Sequence, residues 1–300
     1  MTSFFEILTS GQLLLAALIT GTIYATVGLG LNLVYGTMRL LNVAHGEFLM
    51  LGAYVAFWGF SLFNVSPFLS AVVAGVLTAA LAAALYFGML RWCLRNPRMR
   101  KRIEPNSLLI FVGVSIILQN ISALSFTGTP RGYQYLSGVM TLGSISISAN
   151  RLGAFVFCIA ICIATLIFLR RSATGLAIKA LIQHKEAAEI VGVNVTRLEF
   201  FALCAGFATA GIVGALVSMT EQTTPFMGFP FTIAAFIVII MGGLGNLAGG
   251  IVTGLLLGFI ETYGVAFTSA AWSSILLYGV FVLALIVRPE GIFTVRQVVR

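Results

Sequence analysis

Two short segments concentrate the groups able to do chemistry. Asn42-Val43-Ala44-His45-Gly46-Glu47 places an amide, an imidazole and a carboxylate within six residues. A zinc protease needs His-Glu-x-x-His on one helix face, and the only other histidine, His184, stands far along the chain. Capping or gate lining at the start of an interrupted helix is the expected use. The second segment, "GLAIKALIQHKEAAEIVGVNVTRLE", carries Lys179, Gln183 and Glu186 at i, i+4, i+7, with Lys185 and Glu189 placed to pair at i, i+4. Gly192 is positioned to end that helix as a left-handed cap.

Other patterns fail on context. Gly243-x-Gly245-x-x-Ala248 matches a dinucleotide-binding turn on paper. That turn needs a soluble strand before it and an acidic residue ~20 positions on, and Glu261 comes too early. No nucleophile has a base partner and no metal-ligand cluster is present, so catalytic and metal sites are both expected to be none. Cys93, Cys158, Cys162 and Cys204 lie in apolar runs or beside a basic loop, as reduced packing residues do.

Composition fixes what must hold these groups. Of 300 residues 59% are apolar and 9% charged, against ~25% charged in soluble domains; the mean hydropathy is +1.05. The 17 Lys and Arg face 9 carboxylates, all Glu. The fold class is therefore all-α, a polytopic integral membrane protein read as one transmembrane domain over 1–300.

Charge-free runs span Ile7 to Met38, Phe48 to Leu90, Pro105 to Pro130, Leu152 to Leu169, Phe200 to Thr220, Gln222 to Ile260 and Thr262 to Val287. A crossing helix takes ~20 residues. The longest run is split by Asn64-Val65-Ser66-Pro67, with proline where a helix can start. Another is split by the glycines of 242–250. About nine crossings result, within a range of about eight to ten. Met1 to Glu6 carries no basic residue and no cleavage site follows, so a secretory leader is not expected.

Basic residues in short loops mark the cytoplasmic side. They cluster in 91–104, in 170–199 and after Val287, while only Arg131 and Arg151 fall elsewhere beyond Arg39. This places the N-terminus outside, the C-terminus inside and a loop of about 128–151 outside, as a small hairpin, a surface helix or a connector. The basic excess suits orientation and anionic lipid; nothing supports nucleic-acid binding.

Polar groups at membrane depth are few. Asn32, Asn42, Glu47, Gln119, Asn120 and Asn246 either bond between helices or line a polar path, and Asn42, Glu47, Gln119 and Asn120 are the path candidates. Glu261 belongs with them at or near membrane depth or, like Glu221, lies near a boundary. Gly245, Gly249, Gly250, Gly254 and Gly258 are read as a smooth helix-packing stripe.

Glu186-Ala187-Ala188-x-x-x-Gly192, together with "GLNLVYGTMRLLNVAHGEFLMLGAYVAF" and "FIVIIMGGLGNLAGGIVTGLLLG", resembles the branched-chain amino acid ABC transporter permease family, in its smaller permease type. The likeness covers essentially the whole length, and ribose-type permeases share the superfamily. It implies that Glu186, Ala187, Ala188 and Gly192 form a cytoplasmic coupling helix within a loop of about 170–199. The proline ending the longer pattern of other importer classes is absent after Gly192.

The resemblance further implies a second, related permease, two ATP-binding-cassette ATPases and a periplasmic or extracellular solute-binding protein, in a bacterial cytoplasmic membrane. ATP and magnesium would be handled by the ATPases. This chain needs no cofactor and has no G-x-x-x-x-G-K-[ST] phosphate loop. A secondary carrier for a small polar solute is the alternative, although no span holds a pair of acids to relay protons.

Overall fold

The computed structural model describes residues 8–100, 102–143, 145–288 and 291–293. Met1 to Glu6, read above for a leader, and Lys101, Arg296 and Arg300 of the basic clusters lie outside them. The elements in order are α1 (Gly11–Met38), α2 (His45–Phe63), α3 (Pro67–Leu85), a π-helical turn (Tyr86–Leu90), α4 (Arg91–Arg95), α5 (Pro97–Arg100) and α6 (Ile103–Phe126). Strands β1 (Val139–Leu142) and β2 (Ile145–Ser148) follow, then α7 (Ala149–Arg171), α8 (Ala173–Gln183), α9 (Lys185–Ile190), α10 (Val195–Val217), α11 (Gly228–Gly242), α12 (Leu247–Phe267) and α13 (Ala270–Val287).

Among the described residues, seven stretches are long and apolar enough to cross a membrane: α1, α2, Pro67–Arg95 as one continuous rod, α6, α7, α10 and α12. α11 and Ile275–Val287 are apolar but shorter. Fifteen residues of α11 rise ~22 Å, less than the ~30 Å hydrocarbon core. The turn signals act locally as expected: Asn64 caps α2 at φ 53°, and Pro67 opens α3. Of the two placements open for Glu261, the structure has it inside α12, which runs on to Phe267.

The chain divides into two compact units. The first comprises 1–29, 136–162 and 234–300. Here α1 meets α12 along small residues: a Cβ added at Gly254 would strike the Ala25 backbone, and one at Gly258 would strike Gly21 and Ala17. Gly249 lies against Gly242, and Gly242 against Gly250. Gly245 departs from the expected stripe. It precedes the helix in a turn at φ +85°, next to Gly243 at φ +90°, and Asn246 then caps α12 by accepting from the Gly249 N–H at 3.0 Å.

In the same unit β1 and β2 form an antiparallel pair with Val139 opposite Ser148, so the 128–151 loop is part hairpin, an exception to an all-helical chain. Gln12 fixes the hairpin to the start of α1, donating to Ser146 O at 2.6 Å and accepting from its N–H at 2.8 Å. Thr26 Oγ1 lies 3.3 Å from Cys162 Sγ. All four cysteines are free thiols.

The second unit comprises 30–135 and 163–233. Its core is α2, α3 and α10, brought close by glycine: Gly52 abuts the Gly211 backbone, Gly214 abuts Leu49, and Gly75 packs on Ile212. Phe48, Phe111 and Phe207 are fully buried there, with Phe48 and Phe207 ring centroids 4.1 Å apart. At one end Tyr135 donates to Ser66 Oγ at 3.2 Å and Tyr133 shares a 2.9 Å hydrogen bond with Ser218. Arg131 and Thr223 exchange backbone hydrogen bonds at 3.0 and 2.7 Å. Burial pushes the Tyr133 phenol up to about 12.

Candidate functional site

α2 begins deep in the second unit. His45 sits edge-on to Phe207, midway along α10, at 6.3 Å, and Glu47 faces Ser115 and Gln119 in the body of α6. Its N-terminus is therefore level with the middles of two crossing helices. The preceding residues 39–44 are non-helical, and irregular backbone at such depth is tolerated only within protein or beside a polar cavity.

Ala44, the N-cap of α2, has no side chain able to cap. The missing acceptor comes from far along the chain: Gly46 N–H donates to Thr232 Oγ1 at 2.9 Å, and the Thr232 hydroxyl reaches Val43 O at 3.2 Å and Gly228 O at 3.3 Å. Only a glycine fits at 46, where a Cβ would collide with Gly228 O. The start of α11 is thus pinned on the start of α2, and two positive helix ends converge.

Around this junction the polar residues are buried. Asn42, His45 and Glu47 have no exposed surface. Glu47 Oε1 accepts from Gln119 Nε2 at 2.7 Å and from Ser115 Oγ at 3.0 Å, while Oε2 has no partner among the described residues. The Asn42 amide likewise has none on its oxygen or nitrogen. Asn120 does not join them: it is exposed and donates to Ile116 O of its own helix at 2.8 Å.

Ser115 and Thr232 were absent from the sequence-derived set. The signal for Ser115 was present, since Ser107, Phe111, Ser115 and Gln119 repeat every four residues and so share a face of α6. That face also accepts the Leu41 N–H on Ser107 Oγ at 3.0 Å and the Tyr35 hydroxyl on Glu104 at 3.0 Å. Thr232 had no local signal, because its partner is 186 residues away.

The segment read as one amphipathic helix is two. His184, extended at φ −155° and ψ 100°, ends α8 and opens α9, accepting the Ala187 N–H on Nδ1 at 3.4 Å. Lys179 and Gln183 consequently belong to a different helix from Glu186. The expected Lys185–Glu189 pair is replaced by an ion pair between Lys185 and Glu199 of α10, because Glu199 is held close by the tight turn after α9.

That turn is a Schellman cap. Val193 N–H donates to Ala188 O at 3.0 Å and Gly192 N–H to Glu189 O at 3.1 Å, with Gly192 at φ +86°. Ala188 is buried while Glu186 and Ala187 face outward. Ile190 and Val191 are 85% and 76% exposed. Apolar side chains thus stand uncovered on a helix capped at both ends, and Glu186 in the first turn complements the helix dipole.

The family model for the branched-chain amino acid transport system / permease component matches residues 13–285. The high-affinity branched-chain amino acid transport system permease protein LivH of Salmonella typhimurium is 28% identical over 91% of both chains. The corresponding protein BraD of Pseudomonas aeruginosa is 28% identical over 94% of both. LivM of Salmonella typhimurium, a permease protein of the same kind of system, is 26% identical over 90% of this chain and 67% of its own. Among solved structures, PsaBC from Streptococcus pneumoniae in complex with Fab aligns over 95% of both chains with a TM-score of 0.52 at 12% identity, a likeness of fold. The apolar helices and a match across nearly the whole chain agree: this multi-pass membrane protein is a transport permease, and it belongs to the branched-chain amino acid transport system permease component family.

Proposed function

We propose that this chain is one of two permease subunits of an ATP-binding-cassette importer that carries branched-chain or related amino acids across a bacterial cytoplasmic membrane. The observation that carries this reading is the α9 surface. Glu186, Ala187, Ile190 and Val191 project from a short helix locked by His184 and Gly192, which suits insertion into an ATPase and transmission of its motion. The second permease is a related, non-identical chain, in keeping with likeness to both LivH and LivM. ATP and magnesium belong to two ATPase partners, and a solute-binding protein delivers substrate to the outer face.

The chain acts as a single permease domain, in which α11 and α13 join the seven long helices to make nine crossings. The basic ends of the spans support an external N-terminus: within the second unit Ser66 and Ser218 mark the outer side, and Arg91, Arg171 and Lys185 the inner. Asn42, Glu47 and Gln119 form the polar step of the solute path at the α2–α11 junction. An amino acid offers a carboxylate to the paired helix ends and an ammonium to Glu47.

Reconstitution with the ATPases and binding protein in sealed vesicles tests the proposal. Labelled leucine should enter only with ATP on the ATPase side. Uptake driven by an ion gradient without ATPases would identify a secondary carrier instead.

A further inference from the structure

A second site lies at the inner end of the rod formed by α3 and α4. The π-turn Tyr86–Leu90 closes with the Arg91 N–H donating to Tyr86 O, five residues back. This wider turn brings Tyr86 and Arg91 onto one face, which an ordinary helix would not do, and Arg95 follows one α-turn later. Tyr86 is buried and donates to Thr196 O at 3.4 Å. The result is a cavity of about 190 Å³ walled by Tyr86, Arg91 and Arg95 on one side and by Lys185, Glu189 and Glu199 on the other.

Its charges are unevenly satisfied. Lys185 and Glu199 pair with each other, whereas Arg91 and Arg95 have no carboxylate within ion-pair range among the described residues. Two guanidiniums against Glu189 leave a net positive pocket suited to one oxyanion. The pocket borders an exposed apolar surface. Phe87 and Trp92 are 59% and 63% exposed, the Arg91 guanidinium lies 5.8 Å over the Phe87 ring, and exposed Val73, Leu77 and Leu81 lead down α3 toward it.

We infer that this cavity is a binding site for the phosphate headgroup of an anionic phospholipid, with Arg91 and Arg95 holding the phosphate and the apolar face of α3 carrying an acyl chain. Basic pockets between helices at the cytoplasmic face bind such headgroups. A free phosphate would share the arginines but would leave the aromatic and aliphatic surface beside them uncovered. The bound lipid would bridge a membrane span to the α9 segment, whatever solute is carried.

Native mass spectrometry of the purified full-length assembly, loaded with phosphatidylglycerol or phosphatidylcholine, tests the site. Phosphatidylglycerol should be retained selectively, and Arg91→Gln and Arg95→Gln should each weaken it about fivefold. Arg91→Lys/Arg95→Lys should keep most of the retention and covers the case in which the glutamine variants do not assemble. Inorganic phosphate in excess should not displace the lipid. Equal retention of phosphatidylglycerol by the double glutamine and wild-type proteins, or full displacement by inorganic phosphate, would overturn the inference. So would dissociation of a protein partner from the double variant with lipid retention unchanged, since the arginines would then serve a protein interface.

Discussion

Gln119 of α6 donates its amide to Glu47 Oε1 of α2 at 2.7 Å, and both hydrogen bonds to that carboxyl, the second from Ser115, fall on one oxygen. The other oxygen is buried and bare among the described residues. The carboxyl group is thus anchored at one corner and chemically available at the other, beside two converging helix ends.

Glu47→Ala should leave the Ser115 and Gln119 donors without an acceptor and cost ~1 kcal/mol of stability, the usual scale for interhelical hydrogen bonds in membranes. Glu47→Gln retains an acceptor for both donors and should preserve assembly. If Glu47 meets the solute ammonium, both variants should lose most uptake. Thermal unfolding in detergent alongside leucine transport separates anchor from contact; normal uptake in Glu47→Gln would reduce the residue to a structural partner.

Gly192→Leu should strain α9 at its cap. With no atom within 4 Å of a Cβ there, the penalty is conformational, ~1–2 kcal/mol for a left-handed non-glycine residue. Uptake and substrate-stimulated ATP hydrolysis should fall together while membrane insertion stays normal. Glu186→Lys should act in the same direction through charge, and Lys179→Ala, one helix away, should do little. Full coupling in both of the first two variants would mean that α9 contacts no ATPase.

Lys185→Met removes one partner of Glu199, whose side chain is only 6% exposed. Weakening the pairing of a buried carboxylate is destabilising, and the one-third-exposed lysine limits the effect to ~1–2 kcal/mol. Protease sensitivity of the 184–194 segment should rise. Combining Lys185→Met with Glu199→Gln should recover much of the loss, and failure of that rescue would show that the pair does not hold α9 to α10.

Gly254→Leu should push α12 from α1, because the new side chain would meet the Ala25 backbone, which cannot move aside as a rotamer can. Overpacking of ~1–3 kcal/mol is expected. Complex yield after detergent extraction should drop, whereas Gly245→Ala, at a left-handed turn position outside the helix, should act through backbone strain instead. Unchanged yield in Gly254→Leu would place that face against lipid.

Much was legible from residue order alone. Apolar run length is a local property fixed by bilayer thickness, so the helical membrane class followed directly, as did the breaks at Asn64–Pro67 and Gly242–Asn246, where the residues themselves cannot continue a helix. Gly192 was readable for the same reason: only a left-handed cap uses a glycine there well. Tertiary structure decided what depends on distant partners. Lys185 could reach either Glu189 or Glu199, and the Schellman turn settled it by returning α10 close to α9. Gly245 and Gly249 looked equivalent by spacing, but Asn246 starts the helix between them. The junction of α2 and α11 was invisible because Ala44 cannot cap its own helix and Thr232 supplies the oxygen from the far end of the chain, a relationship that exists only once the chain has folded.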